Sequence, residues 1–143
     1  MDPISFFGRN IFHVLNEVRD QEKVVEYSQI EGDEFLKFSE SGFYLHSKNG
    51  SGEIFDCRIY FVSRDGYFPA NIPNRGLFGE LENLGDFEKK FGRAVKEIRA
   101  VKIPGAEPTL PGKIFENDGK KITAYSSDGN LVDYVHVKLA NQK

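Results

Sequence analysis

Two Asp-Gly pairs, Asp118-Gly119 and Asp128-Gly129, each sit between short apolar runs. They constrain this chain more than any other local feature. Asp-Gly readily takes the positive φ angles of a tight reversal, so flanking runs pair as antiparallel neighbours rather than as parallel strands joined by crossovers. Ile114-Phe115, Ile122-Thr123-Ala124-Tyr125 and residues 131–139 are the runs in question, with Leu131, Val135, Val137 and Leu139 expected on one face of the last strand.

The same punctuation recurs upstream. Residues 24–30 read as a first strand, and Glu31-Gly32-Asp33-Glu34 as a turn. Ser39-Glu40-Ser41-Gly42 lies between two aromatic runs, and Lys48-Asn49-Gly50-Ser51-Gly52 is a further turn. Residues 54–62 alternate most cleanly. Phe55, Cys57, Ile59 and Phe61 are expected on a core face, with Asp56 and Arg58 on a face that is at least partly wet.

Helical periodicity appears at the start. Asp2-Pro3 reads as an N-cap followed by a first-turn proline. Ile4, Phe7, Ile11, Val14, Leu15 and Val18 then recur at three- and four-residue steps, predicting one helix to about Arg19 in which Gly8 permits close approach to a sheet. A second, short helix is expected to open at Asn83 or Asp86, carry Phe87 and Phe91, and stop at Gly92. Pro69 and Pro73 interrupt regular pairing in residues 63–85, residues 96–103 are a weak strand, and residues 104–112 are a loop. The expected fold is therefore α+β: one domain over residues 1–143, a mostly antiparallel β-meander, an N-terminal helix packed on it and a short second helix in the middle connection.

A chain of 143 residues with 39% hydrophobic residues buries a core without a disulfide or metal staple. Cys57 is the only cysteine, the start lacks the basic residues of a signal peptide, and no apolar run reaches membrane-spanning length, so the cytoplasm is the expected compartment and no membrane partner is expected.

No chemistry-bearing constellation emerges, and the chain is read as a non-enzyme without cofactor or metal. Cys57 falls on an apolar strand face, where desolvation disfavours the thiolate. Asn49-Gly50-Ser51-Gly52 is a turn, not a strand-to-helix nucleophile elbow. His13, His46 and His136 lack partners at metal-ligand spacing and are expected on the surface, although His46 and His136 would meet if their strands were neighbours. Arg58 with Tyr60, and Tyr44 with His46, form a candidate sheet face for single-stranded nucleic acid or a small ligand. The formal charge of −3 weighs against nucleic acid.

Two acidic stretches are the candidate partner-binding residues. One comprises Glu31, Asp33, Glu34 and Glu40, the other Glu80, Glu82, Asp86 and Glu88. Such surfaces steer a basic partner. The structural alternatives are solvated turns and a helix N-terminus stabilised by carboxylates.

An opening helix, an aromatic-rich meander, the segment Pro73-Asn74-Arg75-Gly76-Leu77-Phe78-Gly79, the segment Asp86-Phe87-Glu88-Lys89-Lys90-Phe91-Gly92 and a closing hairpin follow one another in this chain. That layout resembles the small bacterial immunity proteins encoded beside polymorphic or contact-dependent growth-inhibition toxins. The resemblance lies in size, acidity, architecture and a short helix ending in Phe-Gly, and it carries over no residue roles. It implies a cytoplasmic protein that binds a cognate, basic toxin domain, often a nuclease, and blocks it.

Overall fold

The computed structural model describes residues 1–21, 24–48 and 51–140. Eight strands form one antiparallel sheet: β1 (Glu26–Ile30), β2 (Asp33–Phe38), β3 (Phe43–Lys48), β4 (Ile54–Tyr60), β5 (Lys96–Ile98), β6 (Gly112–Asn117), β7 (Lys120–Tyr125) and β8 (Tyr134–Leu139). The order across the sheet is β1-β2-β3-β4-β8-β7-β6-β5. Two four-stranded meanders thus meet at the β4–β8 seam, the second running backwards. At that seam Arg58 lies opposite His136 and Tyr60 opposite Tyr134. This confirms the α+β fold with an antiparallel sheet, an N-terminal helix and a short helix in the middle connection.

Helices cover one face. The N-terminal segment departs from the expected single helix. A 3-10 turn over Pro3–Phe6, capped by Asp2, is separate from α1 (Ile11–Val18), capped by Asn10. Gly8, at φ 85°, breaks the helix instead of easing its approach. The reason is a competing pairing: Gly8 N–H donates to the Ile54 carbonyl and Ile54 N–H to the Arg9 carbonyl, fastening this stretch to the start of β4. Phe6 turns inward as a result, while Phe12 is exposed against Tyr27. Beyond β4 come α2 (Ile72–Arg75), a 3-10 turn over Gly76–Phe78 and α3 (Leu84–Phe91). Asn83 and Asp86 form a reciprocal capping box on α3, and Gly92 ends it at φ 85°.

Under these helices lies the main core. Leu36, Phe38, Phe43, Leu45, Cys57, Ile59, Phe115, Ile122, Val135 and Val137 of the sheet meet Ile11, Val14, Phe78 and Phe87. Phe87 sits among Phe61, Phe78, Phe91 and Phe115, with ring centroids 5.6–6.3 Å away.

Several strand details differ from the expected pattern. A bulge interrupts the β3–β4 ladder, where Ser47 pairs with Ile54 and His46 with Asp56. It leaves Phe55 as the extra residue and puts its ring against His46 on the opposite side from Cys57 and Ile59. Asp118-Gly119 is the expected two-residue reversal, with φ 49° and 73°. Asp128-Gly129 instead belongs to a longer connection between β7 and β8, in which the Asp128 carboxylate accepts from the Asn130 and Leu131 N–H groups. Leu131 is consequently exposed and does not share the face of Val135 and Val137. β5 is only three residues long, and the turn expected over residues 48–52 lies partly outside the described residues. No helix among the described residues is long and apolar enough to cross a membrane.

Candidate functional site

The other face of the sheet carries no helix. Strand alternation places Asp33, Phe35 and Lys37 of β2, Tyr44, His46 and Lys48 of β3, Asp56, Arg58 and Tyr60 of β4, and Tyr134, His136 and Lys138 of β8 on that side. Tyr125 of β7 stands opposite Tyr134. Five of the six tyrosines therefore gather on one surface around Arg58, and they form a second cluster separate from the main core.

Local chemistry builds this cluster. Asp65-Gly66, at φ 54° and 86°, makes a two-residue reversal in which Arg64 and Tyr67 exchange backbone hydrogen bonds. The reversal lays the Tyr67 ring on Tyr60, with centroids 4.4 Å apart and planes nearly parallel. The following segment is held down at Gly42, φ 84°, where any Cβ would collide with the backbone of Phe68 and Ala70. Tyr60 also tilts against Tyr134 at 5.6 Å, and Tyr134 against Tyr125 at 4.8 Å. The Arg58 guanidinium lies 4.5 Å from the Tyr134 ring centre and 5.9 Å from those of Tyr44 and Tyr125. Such cation–π contacts gain strength when desolvated. Burial pushes the Tyr44, Tyr60, Tyr67 and Tyr134 hydroxyls above their usual range, so they stay protonated and able to donate.

Beside the tyrosines runs a chain of acids and imidazoles. His46 Nε2 lies 2.8 Å from Asp33 and its Nδ1 2.9 Å from Asp56 Oδ2. The same Asp56 oxygen is 3.5 Å from His136 Nε2, while Arg58 Nε donates to His136 Nδ1. His46 and His136 are therefore not free surface histidines: the β3–β4 pairing brings His46 onto Asp56, and the β4–β8 pairing brings His136. Desolvation pulls the His46 pKa down, but hydrogen bonding and attraction from Asp56 and Asp33 outweigh it, and the net shift is upward. Desolvation likewise raises Asp56, and its two imidazoles reverse the sign, leaving it below the usual carboxylate value. Asp56 is 4% exposed, roofed over by the neighbouring rings, while Arg58 stays partly exposed, so the outer face of β4 is wet only in part.

The two acidic stretches do not assemble into patches. Glu31 sits in the β1–β2 turn and Glu40 at the far end of β2. Asp33 faces the open side, bound to His46 and 3.4 Å from Lys48. Glu34 points to the helix side, 4% exposed, and accepts from the Tyr27 hydroxyl at 2.7 Å. In the second stretch Asp86 caps α3 and Glu88 pairs with Lys113 at 2.6 Å. Glu80 and Glu82 remain exposed at the rim of a depression of about 820 Å³ that also holds Ile72 and Arg75. Arg75 stacks over Phe61 and donates to the Ala70 carbonyl.

Tyr67, Tyr125 and Tyr134 escaped attention in the sequence. For Tyr134 a signal was present: Tyr134/His136, like Tyr44/His46 and Arg58/Tyr60, is an i, i+2 pair, the spacing that shares one sheet face; Tyr67 and Tyr125 belong to no such pair. Cys57 is fully buried on the helix side, and desolvation holds its thiol well above the usual value. Among the described residues no group of three or more His, Cys, Asp or Glu side chains is arranged to hold a metal ion.

No protein-family model matches the chain, and no curated protein matches it. Among solved structures, a cysteine-rich secretory protein from Staphylococcus aureus subsp. aureus Mu50 is similar, with a TM-score of 0.50 and 12% sequence identity. The match covers 94% of this chain and 43% of the staphylococcal one, so the chain spans less than half of that protein's length. At this identity the likeness is one of fold.

Proposed function

We propose that this chain is a non-catalytic protein-binding module whose docking surface is the open, tyrosine-rich sheet face. One observation carries the reading: five tyrosines and Arg58 converge on the one sheet face that no helix covers. Tyrosine and arginine are enriched among residues that dominate binding energy. Rings already packed against one another lose little further side-chain entropy on docking. The face is broad and shallow, its depression between Ile30, Phe35, Lys37, Tyr44 and Tyr67 holding only about 210 Å³, which suits a protein surface better than an enclosed small ligand. Nucleic-acid stacking is disfavoured because Tyr60, Tyr67 and Tyr134 spend their ring faces on each other.

In its specific form the proposal follows the resemblance to bacterial immunity proteins: the module acts in the cytoplasm and neutralises a cognate toxin domain stoichiometrically, without turnover. The test is co-expression with the product of the adjacent gene, followed by calorimetry of the purified pair. A one-to-one complex weakened by Tyr44→Ala with Tyr125→Ala is expected. Failure of the pair to associate, or a complex indifferent to both substitutions, sinks the reading.

A further inference from the structure

Three cations of the open face are matched to rings instead of to acids, while Lys48 pairs with Asp33. Arg58 lies against Tyr44, Tyr125 and Tyr134, Lys37 against Phe35, and Lys138 against Phe55. None of these three is ion-paired among the described residues, whereas Asp33 is held by His46 and Lys48, and Asp56 by His46 and His136 through Oδ2, its Oδ1 making no hydrogen bond. A chain of net charge −3 thus keeps Arg58, Lys37 and Lys138 free of ion pairs on its uncovered surface, although Glu26 lies opposite Lys37 and Asp56 opposite Lys138 in the register.

Aromatic rings solvate a cation from one side only and leave its N–H groups directed elsewhere to accept an anion. In this site Arg58 still has N–H donors beyond the one given to His136. The hydroxyls of Tyr44, Tyr125 and Tyr134 make no hydrogen bond among the described residues, so they add neutral donors around it. A desolvated guanidinium with adjacent hydroxyls is the chemistry that receives a carboxylate.

We propose that the open face recognises an acidic segment of a protein partner, Arg58 taking an Asp or Glu carboxylate and Lys37 and Lys138 flanking it. The proposal rests on the docking reading above and names the charge of the partner's contact surface, which is opposite to the basic surface expected from the acidic stretches.

Tyrosine emission reports on the site directly, because the chain has no tryptophan and five of its six tyrosines lie there. The intact protein is titrated at low salt with short poly-L-glutamate, poly-L-lysine and a single-stranded oligodeoxythymidine. Saturable quenching or enhancement by poly-L-glutamate is expected, weakened about tenfold or more by Arg58→Met. Arg75→Gln, on the helix side of the molecule, leaves it unchanged. Should Arg58→Met fail to fold, Lys37→Glu with Lys138→Glu makes the same test from positions flanking the tyrosine cluster and is expected to abolish the response. Three outcomes overturn the proposal: no response to poly-L-glutamate, a response that these substitutions do not change, or tighter binding of poly-L-lysine or the oligonucleotide. If the toxin complex forms and depends on Tyr44 and Tyr125 while the poly-L-glutamate response is missing, the docking reading stands and the acidic-partner proposal falls.

Discussion

The two faces of the sheet are made by alternate residues of the same strands, yet they obey different chemistry. On β4, Cys57 and Ile59 enter the helix-covered core while Arg58 and Tyr60 face the open side. On β8, Val135 and Val137 go in while Tyr134, His136 and Lys138 go out. Exposure barely separates them: Ile59 is 0% accessible and Tyr60 2%. The difference is in the polar atoms. The fully buried inner aromatics are phenylalanines, such as Phe38, Phe43, Phe78, Phe87 and Phe115, and have no polar group to satisfy. Those outside are mainly tyrosines packed on one another, with Phe35 and Phe55 beside them, and their hydroxyls and cations can still bond a partner. A sheet face can be well packed and remain a binding surface when its packing is done by amphipathic side chains.

The strongest way to break this contrast is to remove an inner ring. Phe87→Ala empties the phenylalanine cluster beneath α3 and is expected to cost about 3–5 kcal/mol by urea denaturation. A loss of well under 2 kcal/mol would show that the cluster collapses around the gap.

An exchange of hydroxyls sharpens it next. Phe78→Tyr buries an oxygen with no partner and is expected to destabilise by about 1–3 kcal/mol. The reverse change outside, Tyr134→Phe, is expected to alter stability by less than about 1 kcal/mol while weakening partner association. Equal costs on both faces would erase the distinction.

Smaller still is the effect of loosening the inner cover. Asn83→Ala removes the α3 cap and is expected to cost about 1 kcal/mol, with Asn83→Ser recovering most of it. Thermal melts of both variants decide this.

The smallest effect is a pH dependence confined to the outer face. His46 is raised above its usual 6.5, so its contribution is complete below that pH and is lost as pH rises through the raised value. Asp33 and Asp56 are lowered below 3.8, so theirs is present above that value and is lost as pH falls through the lowered ones. The His46–carboxylate links are therefore strongest between about pH 4 and 6.5, and wild-type stability is expected to decline on alkalinisation past neutrality. His46→Gln should flatten that limb. An unchanged slope would move the titration to another group.

How far the fold and site were legible varies by residue. Asp118-Gly119 marked its reversal because its φ requirements are local. Asn83 and Gly92 marked α3 for the same reason, and Asp86 proved to be the return half of the capping box rather than the opening residue. The N-terminal stripe misled because Gly8 and Arg9 hydrogen-bond to Ile54, a partner 45 residues away that no helical periodicity reveals. Phe55 misled because a bulge moves it to the other face, and a bulge is a property of two strands. Glu34 looked like a surface acid until its strand register turned it toward Tyr27. For the candidate site, the i, i+2 pairs were legible singly.

What the sequence determined by itself is the antiparallel character of the strands, the Asp118-Gly119 reversal and the alternation of rings, hydroxyls and charges in unbulged strands, since these follow from short-range sterics and two-residue periodicity. Only the tertiary structure decided that β8 lies beside β4. That pairing joins segments separated by more than 70 residues, and no local preference encodes it. It is also what sets His136 against Asp56 and Tyr134 against Arg58, so the candidate site exists through one long-range seam whose partners are chosen by packing of the whole sheet.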